Sequence, residues 1–301
     1  MDEAPELDRV AVFRTTDPRA CKEPALVLEA VGIHCELVSV EASVWLVVST
    51  TEAPRARREL RAYLSENRAA RRDSEPFVPL SNGLAVGVVW VAALVAARAA
   101  ALWGLGGVDW ATVGRADAAA MVDGGEWWRA MTALLLHADA LHLASNLTFG
   151  ALFAVFLAHA VGSGGAALMM VLSGLVGNVL NAWARYPEHL SVGASTAVFG
   201  AVGAFVTIEF LRRGRNDRET IRRWAPMLIG VLILGWFGTG TERTDVTAHL
   251  FGFIGGLGIA LLAIPLLTRT DRLASPAVQG AAWALAGGIV AGAQAWGLLA
   301  T

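Results

Sequence analysis

The chain has 301 residues, 55% of them hydrophobic and only 17% charged, with a mean hydropathy of +0.52 and a net charge of −2. Soluble globular proteins carry about a quarter of their residues as charges. The composition therefore excludes an ordinary soluble protein and predicts an integral membrane one. Net charge says little about partners, because the charge is segregated along the chain.

Residues 1–67 read as a small soluble α+β domain. The first eight, Met-Asp-Glu-Ala-Pro-Glu-Leu-Asp, are acidic and polar and do not have the pattern of a signal peptide. Arg9-Val-Ala-Val-Phe-Arg14 is a strand candidate. Asp17-Pro-Arg-Ala starts a helix with proline at its first position, running to Ala30 and closed by Gly32. Cys35–Val40 and Val44–Val48 alternate or run apolar as strands, and Ala53–Leu64 is a charged amphipathic helix. The order β-α-β-β-α suits a sheet covered by helices on one face. No residue in it carries recognisable chemistry, so an adaptor or regulatory role toward a cytosolic partner is expected, against a mere solubilising appendage. Cys21 and Cys35 both lie here, and in the cytosol they are expected to stay reduced.

A linker at 68–83 contains Arg68, Arg71, Arg72, Pro76 and Pro79. A membrane domain follows over 84–301. Its apolar spans fall at about 84–103, 142–160, 165–184, 195–211, 225–240, 246–267 and 278–300, each near the ~20 residues needed to cross a bilayer. Arginine sets the orientation. Arg68, Arg71 and Arg72 precede the first span. Arg212, Arg213, Arg215, Arg218, Arg222 and Arg223 lie between the fourth and fifth, and Arg269 and Arg272 between the sixth and seventh. Seven spans put all these loops on one side, the cytoplasmic one. The other side holds Arg115, Arg129, Arg185 and Arg243. The N-terminus is thus expected inside and Thr301 outside a plasma (inner) membrane. The loop at 104–141 is long and, with Trp103 just before it, rich in tryptophan (Trp110, Trp127, Trp128). Tryptophan favours the membrane interface, so the loop is expected to be structured and partly embedded.

Strongly polar residues inside membrane spans are functional-site candidates by default. His142 and Asn146 are four apart and share a face of the second span. Ser195 opens the fourth span in Ser191-Val-Gly-Ala-Ser-Thr-Ala-Val-Phe-Gly200, where the helix N-terminus offers unpaired N–H groups and partial positive charge. His249 lies near the outer end of the sixth span. The topology sets all four at similar depth near the outer surface. Ser195 and His249 then suit a nucleophile and its general base, and His142 and Asn146 suit an oxyanion hole. Asp245, four before His249, is a candidate outer orienter. Two small-residue seams, Ala248/Gly252/Gly256/Ala260 and Thr196/Gly200/Ala204, would let the fourth and sixth spans approach closely. The bland alternative is that each seam only packs helices.

These residues carry a resemblance to the rhomboid intramembrane serine proteases. The matching stretches are Trp128-Arg129, His137-Ala-Asp-Ala-Leu-His-Leu-Ala-Ser-Asn146, Gly193-Ala-Ser195 and Ala248-His-Leu-Phe-Gly252, in this order across about 84–267. The resemblance implies an all-α polytopic fold with a six-helix core, to which a seventh C-terminal span is added here. It implies Ser195 as nucleophile, His249 as general base, His142 and Asn146 as the oxyanion pair, and Trp128-Arg129 as a structural loop motif. It further implies cleavage of transmembrane helices near the outer surface, without a cofactor or metal. The sequence departs from the family's Gly-x-Ser-Gly at Thr196, where a stiff β-branched side chain either crowds the acyl site or packs on its seam. Two readings follow, an active serine endopeptidase and a catalytically inactive relative that binds membrane-protein clients without cutting them. A metal site at His137, Asp139 and His142 lacks the His-Glu-x-x-His pattern of a zinc protease. His159 and His189 read as interfacial residues, and a transporter would need further intramembrane charge.

Overall fold

The computed structural model describes residues 8–40, 43–72, 79–104, 107–212, 220–237, 245–267 and 270–300. Among the arginines used to orient the chain, those at 213, 215, 218, 243 and 269 lie outside the described residues. Two compact units are present, residues 1–77 and 78–301.

In the first unit, β1 (Arg9–Thr15), α1 (Lys22–Ala30), β2 (Glu36–Val40), β3 (Ser43–Ser49) and α2 (Ala53–Arg72) form an antiparallel sheet of order β1-β3-β2 with two helices. The central strand β3 is the one with alternately buried side chains. Leu46 and Val48 meet Leu28, Ile33, Ala56 and Leu60 in the core. Gly32 takes φ +76 after α1, a left-handed turn that suits glycine. Cys21 and Cys35 are both free thiols. Helix α2 runs past Leu64 to Arg72, because the arginine- and alanine-rich sequence that follows is a good helix former.

The second unit is helical. Long apolar helices are α3 (Leu84–Leu102), α7 (Ala140–Val161), α8 (Ser163–Arg185), α9 (Ser195–Arg212) and, later, α14 (Pro276–Ala300), all long and apolar enough to cross a membrane. Between α3 and α7 the tryptophan-rich loop folds into α4 (Trp110–Gly114), β4 (Ala116–Asp117), α5 (Ala118–Val122), α6 (Arg129–Thr132) and a 3₁₀ turn at Ala133–Leu135. Strand β4 pairs with β5 (Leu190–Ser191), just before Ser195. After α9 come α10 (Thr220–Phe237) and α11 (Val246–Leu262), whose apolar stretches are shorter, then the single turns α12 (Ile264–Leu267) and α13 (Thr270–Leu273).

Two span ends differ from the sequence reading for clear reasons. Helix α10 begins at Thr220 because its arginine-bearing first turn still favours helix. Helix α11 stops at Leu262, since Pro265 would clash with the carbonyl of Leu261 in a continuing helix.

The centre of the unit is the pair α9 and α11. A β-carbon on Gly252 would collide with the Thr196 carbonyl, one on Gly256 with the Gly200 carbonyl, and one on Gly203 with the Phe253 carbonyl. Glycine at these positions therefore sets the helix separation. The two seams expected from the sequence meet each other, with α8 packed alongside through Ser173, Gly174 and Gly177.

The tryptophan-rich loop is held by buried polar contacts. Arg129 donates through Nη1 to the carbonyls of Thr112 (2.8 Å) and Arg115 (3.1 Å) and pairs with Glu126. Thr132 Oγ1 donates to the Gly114 carbonyl at 2.8 Å, and Asn178 of α8 donates to the Ala130 carbonyl at 2.9 Å. Each bond satisfies a loop carbonyl that lipid would leave unpaired.

Candidate active site

Three structural choices prepare the Ser195 corner. Gly193 has φ +135, a backbone conformation that side-chain-bearing residues rarely adopt. Its N–H donates to the carbonyl of Ala133 at 2.9 Å, so the tryptophan-rich loop fixes the approach to α9. The next N–H, of Ala194, points to His137 Nε2 at 3.5 Å. With those two donors engaged, Ser195 opens the helix at its first position, where the first-turn N–H groups have no partner within the helix.

His142 lies directly over Gly193. A β-carbon built on Gly193 would sit 2.7 Å from His142 Nε2 and 3.5 Å from Ser195 Oγ. The histidine ring and the serine hydroxyl thus flank one small space that only glycine leaves open. Asn146, one turn along α7 and 4% exposed, donates one amide N–H to the His142 carbonyl at 2.9 Å, and its own backbone carbonyl accepts from Trp90 Nε1 at 3.0 Å. An amide nitrogen carries two hydrogens, so one remains for a ligand. Asp139 caps α7 through the His142 N–H at 2.8 Å, which fixes the start of the helix bearing both residues.

His249 comes from α11 and is 6% exposed. Its ring packs on Phe199, with ring centroids 4.5 Å apart. Phe199 is one turn after Ser195, so the contact holds the imidazole beside the serine face of α9. The glycine seam makes this approach possible.

One cavity of about 910 Å³ is lined by Ser195, His249, His142 and Asn146 together. Its apolar wall comes from Phe149 and Phe153 of α7, Val198 and Val202 of α9, and Ile233 of α10. Arg115, Arg185, Asp139 and Asp245 also line it and supply its charge, and His189 borders it. The volume lies within the range of natural ligand sites, ~300–1,000 Å³. Thr196 is 2% exposed and faces another way. Its γ-methyl lies 2.5 Å from where a Gly177 β-carbon would stand, on the seam with α8 and α11.

Asp245 does something other than orient His249. Its Oδ1 accepts from the Ala248 N–H (3.0 Å) and the Thr247 hydroxyl (2.9 Å), capping α11. Its Oδ2 accepts from Asn181 of α8 (2.8 Å) and His189 Nε2 (2.7 Å). Burial alone would raise this carboxyl; the bonds from His189, Ala248 and Thr247 outweigh it and hold the group well below the usual carboxylate range. His189 is thus part of the polar frame around α11. His137, which opens the matching stretch to Asn146 and also figures in the metal alternative, supports the Ala194 backbone and packs edge-on to His142 at 5.2 Å. Burial, with the nearby charges of His142 and Arg98, pushes its ring down to about 4. Nothing in the sequence pattern singles out the His137–Ala194 contact, since it joins two loops by a backbone donor.

The comparisons with known proteins point to one family. The rhomboid domain model matches residues 124–266. The rhomboid-family YdcA of Bacillus subtilis is 30% identical over 143 residues, 48% of this chain and 70% of the relative. Rhomboid protease GluP of the same organism is 33% identical over 146 residues, covering 47% of this chain and 27% of GluP. Rhomboid-like protease 3 of Toxoplasma gondii is 35% identical over 132 residues, covering 44% of this chain and half of the relative (50%). All of the matched residues of the domain model lie in the helical unit that holds the cavity. The chain belongs to the rhomboid family of intramembrane proteases.

Proposed function

We propose that this protein is an active serine-type intramembrane endopeptidase, with Ser195 as nucleophile and His249 as general base. The observation that carries the reading is the convergence of Ser195, His249, His142 and Asn146, from three different helices, on one cavity. Ser195 Oγ attacks the scissile carbonyl carbon while His249 takes its proton. The carbonyl oxygen becomes an oxyanion and accepts hydrogen bonds from His142, from the second amide hydrogen of Asn146 and from the first N–H of α9. As the C–N bond breaks, His249 returns the proton to the leaving amine. Water then attacks the acyl-enzyme with His249 again as base, and Ser195 is restored.

The seat of Thr196 supports activity. Its side chain fills the seam at Gly177, so a residue larger than the family glycine is accommodated without entering the acyl site. The apolar wall at Phe149, Phe153 and Ile233 suits a transmembrane helix arriving sideways from lipid. A helical peptide bond is shielded by its own hydrogen bonds, so the substrate must unwind locally. Small or helix-breaking residues lower that cost.

The arginine distribution supports an orientation with the β-α-β-β-α unit in the cytosol, the C-terminus outside and the site near the outer face of the plasma (inner) membrane. The soluble unit is then free to meet a cytosolic partner. The test is purified protein with a model single-span substrate. Wild type should cut it and react at Ser195 with a fluorophosphonate; Ser195→Ala should do neither. A wild type that binds the substrate helix and neither cuts nor labels would establish the non-cleaving reading instead.

A further inference from the structure

Helix α14 meets the rest of the helical unit along one face, and its two ends are fastened in different ways. Near its start, Gln279 Oε1 accepts from the N–H groups of Gly164 (2.8 Å) and Gly165 (3.2 Å), the first turn of α8. Its Nε2 donates to the carbonyls of Val161 (2.9 Å) and Leu273 (2.8 Å). Both amide hydrogens and both lone pairs of the amide oxygen are therefore in use. The α7–α8 turn has no room for a side chain here, since β-carbons on Gly162 and Gly164 would strike Gln279 itself. Gln279 acts as the N-terminal cap of α8, supplied from another helix.

Seventeen residues on, about 25 Å along the axis, the other end rests on the tryptophan-rich loop. Trp296 packs against Trp128 with ring centroids 5.3 Å apart, and Gly297 lets the Trp128 ring lie close, 2.9 Å from where its β-carbon would be. Between the two ends, Ile289, Val290 and Ala293 pack against the cluster of Met131, Leu134 and Ala197. That cluster borders the site: Ala197 is two residues after Ser195, and Leu134 follows Ala133, whose carbonyl holds the Gly193 N–H.

We propose that α14 is a strut of the catalytic corner, positioning the Trp128–His137 segment so that Ala133 and His137 hold the backbone of Gly193 and Ala194. Trp296 and Gly297 are then positioning residues, acting on Ser195 through Trp128 and Ala133. The proposal rests on Ser195 being the nucleophile. An oxyanion donor works only within a few tenths of an ångström of its place, and a misplacement near 1 Å from a remote change costs about 100-fold in rate. A strut contact at Trp128 therefore has leverage on turnover that an equal contact on the lipid side of α14 lacks.

The experiment measures fluorophosphonate labelling rates and steady-state kinetics with a single-span substrate, on full-length protein. Wild type and Ser195→Ala come first, because failure of Ser195-dependent labelling there defeats the protease reading and not the strut. Against wild type, Trp296→Ala should lose about 10- to 100-fold in labelling rate and in kcat, with KM within about twofold, and Trp296→Phe should recover most of it. Gly297→Ala adds one methyl against Trp128 while improving helix propensity, so it should slow labelling several-fold with thermal stability kept. Leu299→Ala, on an exposed part of the same helix, should match wild type. If Trp296→Ala does not fold, Gly297→Ala decides alone. Wild-type labelling and kcat in Gly297→Ala, or a rise in KM at unchanged kcat in Trp296→Ala, would overturn the proposal.

Discussion

Helices α9 and α14 have the same mean hydropathy over their best 18 residues, 1.3, yet 67% of that stretch is buried in α9 and 11% in α14. Hydropathy measures whether a helix suits lipid, and both do. What separates them is the size of the side chains that face protein. Helix α9 carries Ala197, Gly200, Ala201, Gly203 and Ala204, which admit neighbouring backbones on several sides. Helix α14 has glycines at 280, 287, 288 and 292 whose missing side chains meet nothing within 4 Å, and it touches the bundle along one face only. Without a hydrophobic drive between helices in lipid, close packing decides which of two equally apolar helices becomes central. Ser195 and His249 sit on the two helices, α9 and α11, that this close packing joins.

The comparison is sharpened most by the residues that α9 and α11 bring together. Ser195→Ala and His249→Ala should each lower turnover of a single-span substrate by about 10⁴-fold or more, and the double variant should resemble either single one, since paired catalytic groups act as a unit. Substantial activity in His249→Ala would remove it from the role of base. A smaller loss, about 10²–10³ in kcat, is expected for Asn146→Ala, the size of one oxyanion donor. An unchanged kcat there would exclude Asn146 from the hole.

Stability should separate the two helix environments directly. Gly256→Val forces a side chain against the Gly200 carbonyl and is expected to cost about 1–3 kcal/mol. Gly288→Val on α14 meets open space and should cost little, as read by thermal unfolding in detergent. Equal costs would mean that the seam does not set the helix distance.

The smallest expected effect is a pH dependence. His137 has its ring value pushed down from 6.5 to about 4. A depressed value favours the neutral ring in the folded state, so its contribution is complete above ~6.5 and is lost as pH falls from there toward 4. Asp245, also depressed, acts in the same direction but at lower pH, below its unfolded value near 3.9. The unfolding temperature should therefore drop by a few degrees between pH 7 and 4.5, and His137→Gln, which keeps an acceptor for the Ala194 N–H, should flatten that fall. A wild-type profile that is flat over this window would show that the ring is not held neutral by burial.

Much of this was legible in the sequence because it is local or periodic. The apolar runs of the seven expected spans correspond, among the described residues, to five helices long and apolar enough to cross a membrane and two shorter apolar ones, the spacing of His142 and Asn146 gave a shared face, and Gly252 and Gly256 announced a close helix contact. Other features had no such signal. Gln279 is one of two glutamines in an apolar helix, and its partners at Val161, Gly164 and Gly165 lie more than a hundred residues away. Asp245 stands four before His249 and so invited a role as its orienter. The helix-capping preference of aspartate, and the donors Asn181 and His189 arriving from elsewhere, took the carboxylate instead. His137 was hidden for a similar reason, since a backbone N–H as its partner leaves no trace in residue type.

The contact of Gly252 and Gly256 with carbonyls of α9 has a mechanical consequence. At such separations Cα–H groups meet carbonyl oxygens, weak polar contacts that recur at helix interfaces, and dispersion adds to them. Both are short-ranged, and a gap of 0.5–1 Å already forfeits about a quarter to a half of the dispersion well. A joint of this kind does not yield by degrees. It holds Ser195 and His249 in register until the two helices part, and then it holds nothing, so loss of activity on heating should be abrupt and should coincide with separation of α9 from α11.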